Sequence, residues 1–369
     1  MSFRIHTIPH VLILAMARTC CVWATNCTVP SWSPGTTVKL KLSYADSSGL
    51  TADAAAQRTL EIYYTSAAEV TGVAPVPLAI YLHGGGWRRG SSDDITFDII
   101  PLDFRLYGIS IASISYRLSQ HATFPAQIDD AVAAVSWLRE HAAEHHVDPE
   151  RFILYGTSAG AQLATLLGAA HSNASSVGRV AAVIDFFGPA DLRGDPNRDM
   201  ASMLGCATTA CPEKAAVASP ITHVDAADPP LLGIYGTSDP NVDWRQGESF
   251  IAAARAAGAD ATFMKVDGAI HDFGSVMDAR RAFELTPEDG AAPANQTEVI
   301  LKWLQRRGLL LGCEEFLRKL PPMAAATSLP PPAAANSSQP PAAANSARCS
   351  GFASACLVLA SFQLAINFF

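Results

Sequence analysis

Val38-Lys39-Leu40-Lys41-Leu42-Ser43-Tyr44 alternates apolar and polar residues without a break. That period of two marks a strand with one face in solvent, as at an antiparallel edge. Leu60-Glu61-Ile62-Tyr63-Tyr64 reads as its partner. The next run, Pro77-Leu78-Ala79-Ile80-Tyr81-Leu82, is continuously apolar, as a strand buried on both faces requires. Ile109 to Tyr116, Phe152-Ile153-Leu154-Tyr155, Val180 to Phe187, Pro230 to Tyr235 and Ala261 to Val266 extend the series. Between them the spacing changes to three and four. Ile128, Val132, Val135 and Leu138 share one face of a helix running from Phe124-Pro125 to about His141. Further helices are expected after Gly160, over Arg245 to Ala257 and over Glu298 to Arg307. Strand and helix in alternation predict a mainly parallel sheet in a three-layer α/β fold. Residues from Gly188 to Asp228, rich in Gly, Pro and Asp, break the rhythm and read as an irregular excursion over one face of the sheet.

The chemistry-bearing residues fall where these strands end. Gly156-Thr157-Ser158-Ala159-Gly160 joins an apolar strand to the helix-forming Ala161-Gln162-Leu163-Ala164-Thr165-Leu166-Leu167. A strand turning sharply into a helix through G-x-S-x-G presents its serine at the top of the sheet, where a base can reach it. The Ala159 amide, at the helix start, points to where negative charge develops during acyl transfer. After the strand at 230–235 comes Gly236-Thr237-Ser238-Asp239, and after the strand at 261–266 comes Gly268-Ala269-Ile270-His271. Asp239-Pro240 also reads as an ordinary turn, and ten histidines compete for the role of base. The order Ser, Asp, His, each just past a strand's carboxyl end, is that of an α/β-hydrolase. His271 then serves as base to Ser158, and Asp239 holds the imidazole's tautomer. His83-Gly84-Gly85-Gly86-Trp87 follows the buried strand at 77–82 and supplies bare backbone N–H groups for an oxyanion. His83 reads as a brace for that loop. Trp87 is open to two readings, core aromatic or acyl-pocket wall.

Of the 369 residues, 49% are hydrophobic and 16% charged, enough for a sizeable core. A net charge of −8, with no basic cluster interleaved with aromatics, argues against nucleic-acid partners. Both ends read as processed. Residues 1–24 place Arg4 and His6 before the apolar run Val11 to Ala17, with Ala15, Ala17 and Ala24 as cleavage candidates, as in a secretory signal. After a folded part over 25–320 comes a stalk over 321–351, in which the composition from Pro321 to Ser346 collapses to Pro, Ala, Ser and Asn and repeats Pro-Pro-Ala-Ala-Ala-Asn-Ser. This composition predicts an extended stalk. The uncharged tail at 352–369 fits a GPI-attachment signal better than a transmembrane anchor, with Asn336, Ser337, Asn345 and Ser346 as candidate attachment residues. Four of the eight cysteines fall in or near these terminal segments, leaving Cys27, Cys206, Cys211 and Cys313, which allow three pairings. One of these joins Cys206 to Cys211 locally and Cys27 to Cys313. There is no C-x-x-C and no histidine at ligand spacing near these cysteines, so neither metal nor cofactor is expected. Sequons at Asn26, Asn173, Asn295 and Asn336 fit an exported chain.

His83 to Gly90, Ser115-Tyr116-Arg117-Leu118-Ser119, Phe124-Pro125-Ala126-Gln127-Ile128-Asp129-Asp130 and the Gly-Thr-Ser-Ala-Gly turn resemble the HGGG-type esterases. These include the hormone-sensitive-lipase-like group and, more closely, the feruloyl/acetylxylan esterase-like carboxylesterases. The likeness spans about Val38 to Arg307. It implies a serine carboxylesterase with Ser158, Asp239 and His271 as triad and with Gly85, Gly86 and Ala159 as oxyanion donors. Ala161 stands where many members have a third elbow glycine, and Asp272 where many have glycine after the histidine. Isoprenylcysteine methylesterases and arylformamidases share much of the pattern, but the secretory signal argues against those intracellular roles. The expected substrate is a small acyl or aryl ester, free or linked to polysaccharide, met at a membrane surface through the C-terminal anchor. A binding or adhesion protein on a hydrolase fold, and a lipase, are the alternative readings.

Overall fold

The alternating run near residue 40 forms an edge hairpin, in which β1 (Lys39–Ser43) pairs antiparallel with β2 (Thr59–Tyr63) and Leu42 faces Leu60. A short helix, α1 (Ala52–Ala56), lies between them, capped by the Thr51 side chain. The computed structural model describes residues 39–65, 75–95, 104–171, 177–193, 197–271, 283–285 and 296–310, all within one unit, Met1–Pro321. The signal, stalk and tail, together with Cys27, Cys313, Asp272 and the four sequons, lie outside the described residues.

The chain continues through β3 (Val76–Leu82), β4 (Ser110–Ile114), α2 (Ala126–Glu140), β5 (Val147–Thr157) and α3 (Ala159–Leu166). Next come β6 (Ala182–Phe186), α4 (Arg198–Leu204), α5 (Pro212–Val217), β7 (Leu231–Gly236), α6 (Trp244–Ala257), β8 (Ala261–Val266), β9 (Phe283–Leu285) and α7 (Gln296–Arg306). The strands form one sheet in the order β1-β2-β4-β3-β5-β6-β7-β8-β9. From β4 to β8 every pairing is parallel; β1, β2 and β9 are antiparallel additions at the two ends.

The layers follow from side-chain alternation. Gly233, Tyr235 and Phe263 share one face of the sheet, where Gly233 meets Ile251 of α6 and the Tyr235 ring meets Gly247. Ala161 of α3 packs on the same side, against Gly188, and α2 packs against α3. Thr262 points the other way, and there it accepts the Trp303 Nε1–H of α7 at 3.1 Å. Helices therefore cover both faces, the three-layer α/β-hydrolase architecture expected of this pattern. Every residue of β3 is buried, as its unbroken apolar run requires. Two of the quoted motifs meet where the chain leaves β4 and enters α2. Asp130 has a fully buried side chain, yet it accepts Arg117 Nε at 2.8 Å, Arg117 Nη2 at 2.9 Å and the Arg117 backbone N–H at 2.9 Å. Arg58 Nε lies 3.2 Å from Oδ1, the oxygen that also accepts Arg117 Nη2. Pairing of this kind offsets the cost of burying the carboxyl.

The excursion at 188–228 is more regular than its composition predicts. Asn197 caps α4 by accepting the N–H groups of Asp199 and Met200, and Pro212 starts α5. Between these helices Cys206 and Cys211 form a disulfide. Among the described residues no helix is long and apolar enough to cross a membrane.

Candidate active site

Ser158 is the only residue between β5 and α3, and it takes φ 52°, ψ −119°. An L-residue adopts that conformation only when its surroundings enforce it. Here they do. The Ser158 N–H donates to the Phe186 carbonyl of β6 at 2.9 Å, and its own carbonyl accepts the Gln162 N–H at 3.1 Å. The start of α3 is pressed onto the end of β3 so closely that a Cβ on Gly160 would lie 2.1 Å from the Leu82 carbonyl oxygen.

The loops after β7 and β8 bring the other two candidates to this serine. Ser158 Oγ–H donates to His271 Nε2 at 2.9 Å, and His271 Nδ1–H donates to Asp239 Oδ2 at 2.7 Å. The other Asp239 oxygen accepts the backbone N–H groups of Asn241 and Val242 at 2.8 and 3.0 Å. The carboxylate is 1% exposed and the imidazole 22%, so the acid is sealed while the base still reaches the cleft. The two loops also hold each other. Ser238 N–H donates to the Ala269 carbonyl at 2.9 Å, and Gly268 N–H donates to Thr237 Oγ1 at 2.7 Å.

The glycine loop leaves β3 and turns back over the serine. Gly85, Gly86 and Trp87 all have positive φ, at 108°, 61° and 55°. A side chain at Gly86 would be strained by its φ of 61° and would bring a Cβ to 2.6 Å from Asp199 Oδ2. Gly85, Gly86, Ser158 and His271 line one cleft of about 630 Å³. Ala159 is buried at the N-terminus of α3, one residue past the serine. Of the six residues singled out from the sequence, four line this cleft, while Asp239 lies buried behind His271 and Ala159 adjoins Ser158 in the chain.

His83 is buried beneath the loop. Its Nδ1–H donates to the Gly84 carbonyl at 2.7 Å, its ring stacks on Tyr116 at 4.2 Å, and Tyr116 Oη donates to the His83 carbonyl. Burial lowers the imidazole to about 4, so it is neutral near pH 7. Trp87 unites its two sequence readings. It is 2% exposed and donates from Nε1 to Gln162 Oε1 at 3.0 Å, and it also lines the cleft. Sequence reading did not find the far wall. Asn197, Asp199 and Met200 come from α4 and its cap, and Asp199 pairs with Arg88 at 2.8 Å. No local pattern marks these residues, because only tertiary packing carries α4 over the glycine loop. Phe187, whose ring centroid is 4.8 Å from that of His271, was legible only as the last residue of a strand. Among the described residues no group of three or more His, Cys, Asp or Glu is arranged to hold a metal ion.

Comparison with known proteins places this geometry. The chain is 30% identical over 212 residues to Esterase LipQ of Mycobacterium tuberculosis, covering 53% of this chain and 50% of that protein. It is 28% identical over 211 residues to the probable carboxylic ester hydrolase LipM of the same organism, covering 53% and 48%. The chain therefore spans about half the length of the curated relatives it matches. Among solved structures, a truncated carbohydrate esterase from gut microbiota aligns with a TM-score of 0.56 at 26% identity, over 68% of this chain and 92% of that one. The model of one family, BD-FAE, matches residues 60–253, more than half of the sequence, a stretch that runs from within β2 to within α6 and includes Ser158, Asp239 and the glycine loop. The chain belongs to the BD-FAE family.

Proposed function

We propose that the protein is a serine carboxylic-ester hydrolase for small acyl or aryl esters, exported and held at the cell surface. The observation that carries the reading is the unbroken chain of hydrogen bonds from Ser158 Oγ through His271 to Asp239, opening into a cleft. In the forward step Ser158 Oγ attacks the ester carbonyl carbon as His271 Nε2 takes its proton. Asp239 keeps the other imidazole proton on Nδ1 and stabilises the cation that forms. The N–H groups of Gly85, Gly86 and Ala159 receive the oxyanion, and losing one such donor typically costs about 3 kcal/mol of barrier. The imidazolium then protonates the departing alcohol. Water, activated by the same base, hydrolyses the acyl-enzyme.

The names of the relatives support ester chemistry, and that of the solved neighbour supports an ester carried on carbohydrate. Export and a GPI anchor rest on the sequence of residues 1–24 and 321–369 alone. The test is labelling of the full chain by a fluorophosphonate probe, with Ser158→Ala in parallel, followed by turnover of acetyl and feruloyl esters. Labelling that the substitution abolishes, with turnover, upholds the reading. A folded wild type that neither labels nor turns over ester overturns it in favour of a binding protein on this fold. For the anchor, release from cells by a phosphatidylinositol-specific phospholipase is the expected result. Retention after that treatment sinks the GPI assignment.

A further inference from the structure

One buried carboxyl behind the elbow has no part in this reaction. Asp185 lies in β6 opposite Gly156 of β5 and Gly233 of β7, and it is 1% exposed. Its Oδ1 accepts the Gly188 N–H at 2.8 Å. Its Oδ2 is 2.5 Å from Tyr235 Oη, and the same Oη is 2.7 Å from the Gly188 carbonyl oxygen. Counting protons decides the state of this group. A carbonyl oxygen and an ionised carboxylate only accept, and a phenol has a single proton to give. With Asp185 ionised, Tyr235 can serve one of its two neighbours while lone pairs oppose at the other. With Asp185 protonated on Oδ2, both contacts are hydrogen bonds: the acid donates to Oη, and Oη donates to Gly188.

The surroundings favour the neutral form. The residues opposite it are Gly156 of β5 and Gly233 of β7, and Ala161 and Gln162 of α3 border the same Gly188 turn, none of them charged. Tyr235 of β7 is the ionisable group facing the carboxyl, and beyond it Asp239, a further negative charge, acts on Tyr235. Burial pushes the Asp185 carboxyl up to about 7, against the pull of its bonds from Tyr235 and Gly188.

The segment so held is part of the site. Phe186 supplies the carbonyl that anchors the Ser158 N–H. Phe187, at φ 50°, sets its ring against His271, and Pro189 lines the cleft beside it. We propose that Asp185 is a positioning residue: as a neutral acid it joins Tyr235 in clasping both backbone polar groups of Gly188, and so fixes the Phe186–Pro189 turn against the serine and the imidazole. The proposal rests on the ester-hydrolase reading for its effect on rate, but not for its effect on stability. Ionisation of Asp185 breaks the relay and loosens the turn.

The experiment compares full-chain wild type with Asp185→Asn, Asp185→Ala and Tyr235→Phe, reading kcat and KM from about pH 5 to about pH 9. Wild-type kcat is expected to fall on the alkaline side with a midpoint of about 7. Asparagine keeps the acceptor for Gly188 and a donor for Tyr235, with no proton to lose, so Asp185→Asn should lack that limb. Asp185→Ala and Tyr235→Phe should lose about tenfold in kcat, with KM little changed, as expected for one lost hydrogen bond. A purely structural role would lower melting temperatures and leave the alkaline limb in place; an identical limb in wild type and Asp185→Asn overturns the proposal.

Urea unfolding supplies a readout that needs no substrate. An unfolded aspartate loses its proton near pH 4, and the folded one holds it to about pH 7. Across that window the folded state binds more protons, so wild-type stability declines as pH rises relative to Asp185→Asn. An advantage of the Asn variant that grows through the window supports the neutral acid even if Ser158 proves unreactive. An advantage that is flat with pH refutes it even if the enzyme is active.

Discussion

Gly160→Ala tests the construction of the elbow with a single methyl group. The added Cβ would lie 2.1 Å from the Leu82 carbonyl oxygen and 2.4 Å from that of His83, where real Cβ atoms essentially never come within 3.0 Å. Both obstacles are backbone at the end of a fully buried strand, so neither can rotate away. Relief from 2.1 to 3.0 Å moves the start of α3 by about 0.9 Å relative to β3. Ser158 immediately precedes that helix, so its Oγ–Nε2 distance stretches from 2.9 Å toward about 3.8 Å and the hydrogen bond is lost. Overpacking of this kind costs about 1–3 kcal/mol of stability, or roughly 5 °C in melting temperature for a domain of this size. A displacement of about 1 Å at reacting atoms costs on the order of 100-fold in rate. The assay is kcat on a small chromogenic ester together with the rate of fluorophosphonate labelling, at a temperature where the variant is folded by circular dichroism. Gly168→Ala is the control. Its Cβ meets the side chains of Val183 and Pro229, at 2.8 and 3.4 Å, and not the end of β3, so stability falls while the labelling rate holds. A Gly160→Ala enzyme with wild-type kcat and melting temperature would refute the reasoning, because the close approach of α3 to β3 would then not set the serine.

Two further predictions follow from the groups around that elbow. Asp239→Asn keeps the side-chain shape but presents an amide to His271 Nδ1, favouring the tautomer with its proton on Nε2; kcat should fall on the order of 10³-fold or more with KM little changed, and a loss under tenfold in steady-state kinetics argues against the assignment. His83 is held neutral by burial, with its value lowered from 6.5 to about 4, so between those limits the unfolded state binds more protons and stability falls as pH drops. The loss approaches about 3 kcal/mol below pH 4; urea midpoints across that range should show it in wild type, and a His83→Gln variant showing the same slope rules out His83 as its source.

Much of the fold was legible because its strands are either wholly apolar or strictly alternating. β8 matches its run of Ala261 to Val266 residue for residue, and α2 needed only the three-four spacing of Ile128, Val132, Val135 and Leu138. β5 starts five residues before its apolar core, at Val147, because Asp148, Pro149, Glu150 and Arg151 hide a strand that pairs with Val76 only at its first residue. α4 and α5 escaped notice because helices of seven and six residues are too short to show a period, and the Gly, Pro and Asp around them are also the residues of irregular loops. Within the site, Ser158, Asp239 and His271 were readable because each ends or follows a strand, where parallel sheets place their chemistry. Asp199 and Asp185 were not. One depends on a helix arriving from elsewhere, and the other is a single acid in an apolar strand whose meaning lies in a tyrosine fifty positions on.

The mutual fastening of the loops after β7 and β8 divides the site mechanically. Asp239 and His271 travel together, since Ser238 to Ala269 and Gly268 to Thr237 bind their loops into one piece. Ser158 belongs to another piece, wedged between β3 and β6 by Gly160 and the Phe186 carbonyl. The two bodies meet at the Phe187 ring and at the bond from Oγ to Nε2, already 2.9 Å long. A substitution that shifts either body alters that distance first, while the Nδ1–Oδ2 contact inside the other body keeps its length. Placement of the serine and orientation of the imidazole are therefore separable by mutation.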